Sequence, residues 1–142
     1  NVRAMWKVAR AFLPGMIAGG GGSLINMASV ASSVIAAPGR FVYGATKAFV
    51  LFLSQSLSLE LSPKGVYVQA VLPAGTRTEI WERAGIDINA LPELMDVGEL
   101  VDAALVGFDR RELVTIPPLH NAARWDALDA ARQGLLSEIR QP

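Results

Sequence analysis

The sequence predicts an α/β fold, a parallel sheet with helices on both faces. Three observations predict it. Helix-like and strand-like patterns alternate along nearly the whole chain. The clearest strand, residues 66–72 (Val-Tyr-Val-Gln-Ala-Val-Leu), is rich in β-branched residues and largely apolar, as a strand buried on both faces should be. Apolar residues make up 51% of the 142 residues and charged residues 18%, with a mean hydropathy of +0.34, which suits elements covered on two sides.

Met5, Val8, Phe12, Leu13 and Met16 recur at three- and four-residue spacing and predict a first helix from Val2 to Ile17. Pro14 should weaken or kink its last turn, because proline has no N–H to donate. The glycines at 19–22 should end it. Residues 23–29 (Ser-Leu-Ile-Asn-Met-Ala-Ser) read as a short strand, and residues 30–40 as a loop with a turn at Pro38-Gly39. A long helix is expected from Val42 to Leu61, stopped by Pro63-Lys64-Gly65. The next strand breaks at Pro73-Ala74-Gly75. Residues 79–96 read as irregular, with a short helix near Ile80 to Ala84. Leu100, Val101, Ala104 and Leu105 predict a helix from Val97 to Phe108. Glu112 to Ile116 is a last strand, closed by Pro117-Pro118, and Asn121 can cap a final helix to Ile139. No linker or repeat divides the chain, so it reads as a single domain.

Several function classes lose support. Formal net charge is zero and no basic stripe is present, so nucleic-acid binding has no electrostatic basis. The absence of cysteine removes disulfides, thiolate metal sites and thiol catalysis, and fits a reducing compartment, the cytoplasm. No run reaches the roughly 18 apolar residues of a membrane span. His120 is the only histidine and has no ligand partners nearby, so no metal site is expected. Gly19 to Gly22 follow a helix and open a strand. A phosphate-binding glycine loop does the reverse, so these glycines read as a connection.

The chemistry centres on Tyr43 and Lys47. Four residues apart, they share one face of a helix. A free phenol titrates near pH ~10, too high for acid–base work at neutral pH. An adjacent ammonium favours the phenolate, and a phenol so tuned can pass a proton to or from an alcohol or carbonyl oxygen. Taken alone, the pair is far more often just a surface tyrosine beside a solvated lysine. Its surroundings add to it. Upstream, residues 26–31 (Asn-Met-Ala-Ser-Val-Ala) end a strand with the hydroxyl of Ser29. Downstream, residues 73–78 (Pro-Ala-Gly-Thr-Arg-Thr) close the next strand.

These motifs, in this order, resemble the classical short-chain dehydrogenase/reductase family over nearly the whole chain. The resemblance implies a Rossmann-like doubly wound parallel sheet that is incomplete, with about three strands and flanking helices. The chain would then be a single C-terminal catalytic portion. The glycine-rich cofactor-binding unit, and the residue that chooses NAD or NADP, are absent from it. The resemblance makes Tyr43 the catalytic acid/base, and Lys47 the group that tunes it and holds the cofactor ribose. It makes Ser29 the hydroxyl that bonds the substrate oxygen. The spacing from Ser29 to Tyr43 is one residue longer than in many members, and Ser32 and Ser33 compete for the role. Asn1 matches the helix asparagine that holds a water in a proton relay. Pro73, Ala74, Gly75 and Thr76 would lie against the nicotinamide, and Thr78 would reach its carboxamide or a phosphate. Ala74 and Thr76 stand where the family usually has glycine and valine. Trp81 falls where the family carries its substrate lid; with Ile80, Ile86 and Leu91 it either lines an apolar pocket or simply packs.

The implied activity is NAD- or NADP-dependent interconversion of a secondary alcohol and a ketone or aldehyde. The implied partners are a small alcohol or carbonyl substrate and further copies of the chain, a homodimer or homotetramer built through the helices from Val2 and Val42. The alternative is a catalytically incompetent fragment, or a non-catalytic scaffold that self-associates. The start at Asn1, directly in a helical pattern, favours truncation, which would leave the edge of the 23–29 strand unpaired.

Overall fold

A computed structural model of the chain describes residues 2–33, 39, 41–91 and 93–139. The elements run α1 (Val2–Ala18), β1 (Gly22–Met27), α2 (Phe41–Leu61), β2 (Val66–Val71), α3 (Ile80–Arg83), α4 (Val97–Asp109), β3 (Val114–Thr115) and α5 (Ala123–Ile139). Short 3-10 turns lie at Val30–Ser32, Ser62–Lys64 and Ile88–Ala90. The three strands form a parallel sheet in the order β1-β2-β3. Each expected element is present, with small shifts at its ends. Ser29 lies past the end of β1, and the loop after it opens with a 3-10 turn.

Helix α1 continues through Pro14 to Ala18 and ends where Gly20 takes φ +82°, with Gly21 N donating to Met16 O at 2.9 Å. Its inward stripe is Ala9 and Leu13, with Met16 and Ile17 packed against the same cluster and Met5 against the neighbouring one. Val8 and Phe12, expected on that face, are 51% and 61% exposed. The sequence carries two neighbouring apolar stripes, and only contact with the sheet decides which is covered. Asn121 caps α5 as expected, its Oδ1 accepting from Ala123 N at 3.1 Å.

The register pairs Gly22 with Val66 and Met27 with Val71. Alternate strand residues share a face. Leu24, Asn26, Val66, Val68 and Ala70 therefore point to one side, where α1 and α2 lie. That side holds two buried clusters, Ala9-Leu13-Leu57-Leu61-Val66-Val68 and Ala28-Val50-Leu51-Ala70-Leu72, with Trp125 of α5 against the second. On the other side Gln69 donates from Nε2 to Ala104 O of α4 at 2.9 Å, and the Tyr67 ring meets Phe108 edge-on at 5.3 Å. β2 is covered on both faces, which explains its largely apolar character. β1 is covered on one, leaving Ile25 42% and Met27 44% exposed.

The connections through α2 and α4 step in the same direction across the sheet but pass over opposite faces. They therefore have opposite hands, and one departs from the nearly universal right-handed rule. This brings α4 over the second face of β2. It leaves the carboxyl ends of β1 and β2 together, tied by Ala28 N to Val71 O at 2.8 Å and Val30 N to Pro73 O at 3.0 Å.

Candidate active site

Tyr43 and Lys47 lie in the first turns of α2, separated by small residues. The helix runs close to the 3-10 turn after β1: a Cβ added to Gly44 would stand 3.3 Å from Ala31 O. Lys47 Nζ donates to the carbonyl of Met27 at 2.9 Å and sits 5.8 Å from the centre of the Tyr43 ring, within cation–π range. The lysine thus clamps the start of α2 to the end of β1. An ammonium has three donors, and among the described residues Lys47 commits one. Tyr43 is 48% exposed, and its carbonyl accepts from Thr46 Oγ1 at 2.8 Å.

Ser29 follows the same strand end and is buried. Its Oγ accepts from Ala31 N at 3.2 Å, capping the 3-10 turn, and donates to Pro73 O over a long 3.4 Å. The two competing serines are placed differently. Ser32 Oγ donates back to Ser29 O, and Ser33 Oγ is buried with no partner among the described residues. Both line a cavity of about 550 Å³ with Ala45, Phe49, Phe52 and Leu128. Residues 45, 49 and 52 lie across the helix from Tyr43 and Lys47 at 3.6 residues per turn.

Pro73, Ala74, Gly75 and Thr76 leave the end of β2 half-buried, while Thr78 is exposed. Thr76 forms a parallel bridge with Met95; Met95 N donates to Gly75 O at 3.0 Å and Arg77 N to Met95 O at 2.9 Å. Trp81 is half-buried, and its Nε1 donates to Thr76 O at 2.7 Å. Ile80 and Ile86 stay exposed. Asn1 lies outside the described residues. His120 is exposed, and no cluster of metal-ligating side chains occurs among the described residues. Tyr43, Lys47, Ser29 and Pro73 thus converge on the carboxyl ends of two adjacent parallel strands, where open α/β sheets bind ligands.

Sequence reasoning missed the polar pairs beneath this end. Asn26 Nδ2 donates to Ser54 Oγ at 2.9 Å, and Ser54 Oγ to Val50 O at 2.7 Å, all within the apolar core. Gln69 Nε2 also donates to Thr115 Oγ1 at 2.8 Å, and Thr115 Oγ1 to Glu112 Oε2 at 2.9 Å. The signal was there: an amide in the middle of an apolar strand needs a buried partner. Farther away, Tyr67 donates to Glu112 O at 2.6 Å. Burial pushes its phenol above the usual range, with Arg111 opposing and Glu112 adding.

Comparisons with known proteins identify the family. The family model described as short chain dehydrogenase matches residues 1–89. A short-chain dehydrogenase from Sphingobium yanoikuyae, solved in complex with NADPH, is 67% identical with a TM-score of 0.90; the match covers 98% of this chain and 54% of that one. The bulky-bulky ketone specific alcohol dehydrogenase from Comamonas testosteroni is 61% identical with a TM-score of 0.79, over 94% of this chain and 49% of that one. The oxidoreductase UcpA of Escherichia coli is 31% identical, over 81% of this chain and 50% of its own length. The chain spans about half the length of these relatives. No helix among the described residues is long and apolar enough to cross a membrane. On the family match and the strand-end arrangement together, the chain belongs to the short-chain dehydrogenase/reductase family.

Proposed function

We propose that this chain is the C-terminal catalytic portion of an NAD(P)-dependent oxidoreductase that interconverts a secondary alcohol and its ketone or aldehyde. The observation that carries the reading is the Lys47 Nζ contact with Met27 O at 2.9 Å. It fixes the Tyr43/Lys47 helix to the strand end that leads directly into Ser29.

The residues fit a nicotinamide dinucleotide. Lys47 has ammonium hydrogens left for ribose hydroxyls, and the half-buried backbone of residues 73–76 offers polar atoms at a strand end. Thr78 presents an exposed hydroxyl beside them. When bound, the nicotinamide supplies or accepts the hydride. In reduction, Tyr43 gives its phenolic proton to the substrate oxygen; in oxidation it takes the proton back. Lys47 Nζ, 5.8 Å from the ring centre, faces the negative charge that develops on the phenol as it gives up its proton. Ser29 turns its hydroxyl from the weak bond with Pro73 O to the substrate oxygen. Asn1 takes the water-holding role on the family resemblance alone.

The relative solved with NADPH supports NADP as the cofactor. The relative named for bulky-bulky ketones supports a carbonyl flanked by large apolar groups, and the exposed Ile80 and Ile86 after Thr78 suit such a substrate. The reading places the dinucleotide's phosphates and adenosine on a part of the protein outside this chain. The half-covered β1 supports that placement, because Ile25 and Met27 present an apolar face suited to further structure. Exposed Trp6 and Phe12 on α1, with Phe52 and Leu59 on α2, support a homodimer or homotetramer.

The test is Tyr43→Phe in the protein at its full natural length. Turnover of a bulky ketone with NADPH should collapse while NADPH binding persists. Unchanged turnover overturns the acid/base assignment. The isolated 142-residue chain should bind NADPH weakly or not at all, and saturable tight binding overturns the placement of the phosphates.

A further inference from the structure

The loop that leaves at Arg77 and returns at Met95 is tied at its base in two independent ways. The first is the short backbone ladder between Gly75, Arg77 and Met95, with bonds of 3.0 and 2.9 Å. The second is a side chain: Trp81 Nε1 donates to Thr76 O at 2.7 Å, at the short end of the ordinary N–H···O range. The same stretch is packed from the loop side. A Cβ on Gly75 would meet Leu94 Cδ2 at 2.8 Å and Trp81 Cζ2 at 3.9 Å. The indole therefore spends its polar handle on backbone, not on a ligand, and lays its ring edge along Gly75.

We propose that Trp81 is a positioning residue: by holding the Thr76 carbonyl it registers the short helix Ile80–Arg83 and the described loop residues around it against the Gly75–Thr78 backbone. The proposal rests on the reading that this backbone contacts the nicotinamide. Trp81 then acts through Thr76, and one bond links two jobs. It orients the backbone that meets the cofactor, and it sets where the exposed Ile80 of the same short helix stands relative to that cofactor. A loop anchored at the reacting end in this way shifts as a unit, so loosening the anchor weakens cofactor binding before it alters the proton-transfer group.

The experiment compares Trp81→Phe with Trp81→His in the full-length protein, using NADP⁺ as the probe at about pH 6, where imidazole carries hydrogen on both nitrogens. Histidine Nε2–H sits at the same position in its five-membered ring as indole Nε1–H, so it can reach Thr76 O. Phenylalanine keeps an apolar ring but has no donor. The expected result is an NADP⁺ dissociation constant raised roughly three- to tenfold in the Phe variant, the worth of one hydrogen bond, and largely restored in the His variant. The KM for cofactor should follow the same ranking, with kcat changed less. A packing role ranks the variants the other way, because phenylalanine preserves more apolar contact than histidine; that order overturns the proposal. Amide hydrogen exchange at Arg77 and Met95 is read in parallel. It should rise in Trp81→Phe and return in Trp81→His. If the parent protein binds no NADP⁺, the functional reading fails, while the exchange ranking still decides the anchor. If exchange follows the expected order and NADP⁺ affinity does not, the anchor exists without the coupling and the proposal is overturned.

Discussion

Two sets of polar side chains sit a few residues apart in this sheet and behave in opposite ways. Within it, Asn26, Gln69 and Thr115, with Ser54 of α2 packed against the sheet, are buried and bonded to other protein groups. At the carboxyl ends, Tyr43 is half exposed, Lys47 commits one of its three donors, Ser29 holds Pro73 O only loosely, and Thr78 faces outward. A buried polar group that loses its partner costs stability, so the first set is locked in place. The second set keeps bonding capacity in reserve, which is what a ligand site requires. Asn26 lies one residue before Met27, so the locked set begins where the reserve set ends.

Breaking each set should give a different readout. The largest effect is expected from Lys47→Met, which removes a charge-assisted bond and the positive charge beside Tyr43. Turnover with NADPH should drop about ten- to a hundredfold, and Tm should move little. A large fall in Tm with activity intact would erase the contrast. Next is Gln69→Ala. Its Nε2 bonds Ala104 O and Thr115 Oγ1, while its Oε1 has no partner among the described residues, so the loss is only partly offset. Chemical denaturation should show about 2–3 kcal/mol of destabilisation from the cavity and the lost bonds. The kcat of the folded fraction should stay near that of the parent.

The smallest effect sharpens the locked side. Tyr67→Phe removes the bond to Glu112 O and should cost about 1 kcal/mol at neutral pH. Burial holds the folded Tyr67 phenol above its usual value. The folded state therefore keeps its proton where the unfolded chain loses it. Stability from this group is complete below the unfolded value of about 10 and is lost as pH rises through the higher folded value. The Phe variant lacks that alkaline loss, so the gap between the two proteins should narrow above pH ~10. A gap that widens there contradicts the assignment.

Much of this was legible in the chain. β2 was readable because both of its faces are covered and its sequence is largely apolar and β-branched. β3 was expected over five residues and occupies two, Val114 and Thr115, because an edge strand extends only as far as its one neighbour pairs it. Trp81 was readable as a residue of the irregular segment after Thr78 but not as a donor to Thr76, since nothing local distinguishes an indole that lines a pocket from one that bonds backbone.

The sequence by itself determined what depends on local periodicity. Tyr43 and Lys47 share a face because 3.6 residues make a turn, wherever the helix is placed. The alternation of elements and the caps at Gly20 and Asn121 have the same local origin. Only the tertiary structure decided the pairings between distant segments: Lys47 with Met27 across 20 residues, Ser29 with Pro73 across 44, and Gln69 with Thr115 across 46. It also decided which apolar stripe of α1 meets the sheet and which face of β2 takes α4. Those choices follow from strand order and register, which place partners in space that no neighbouring residue specifies.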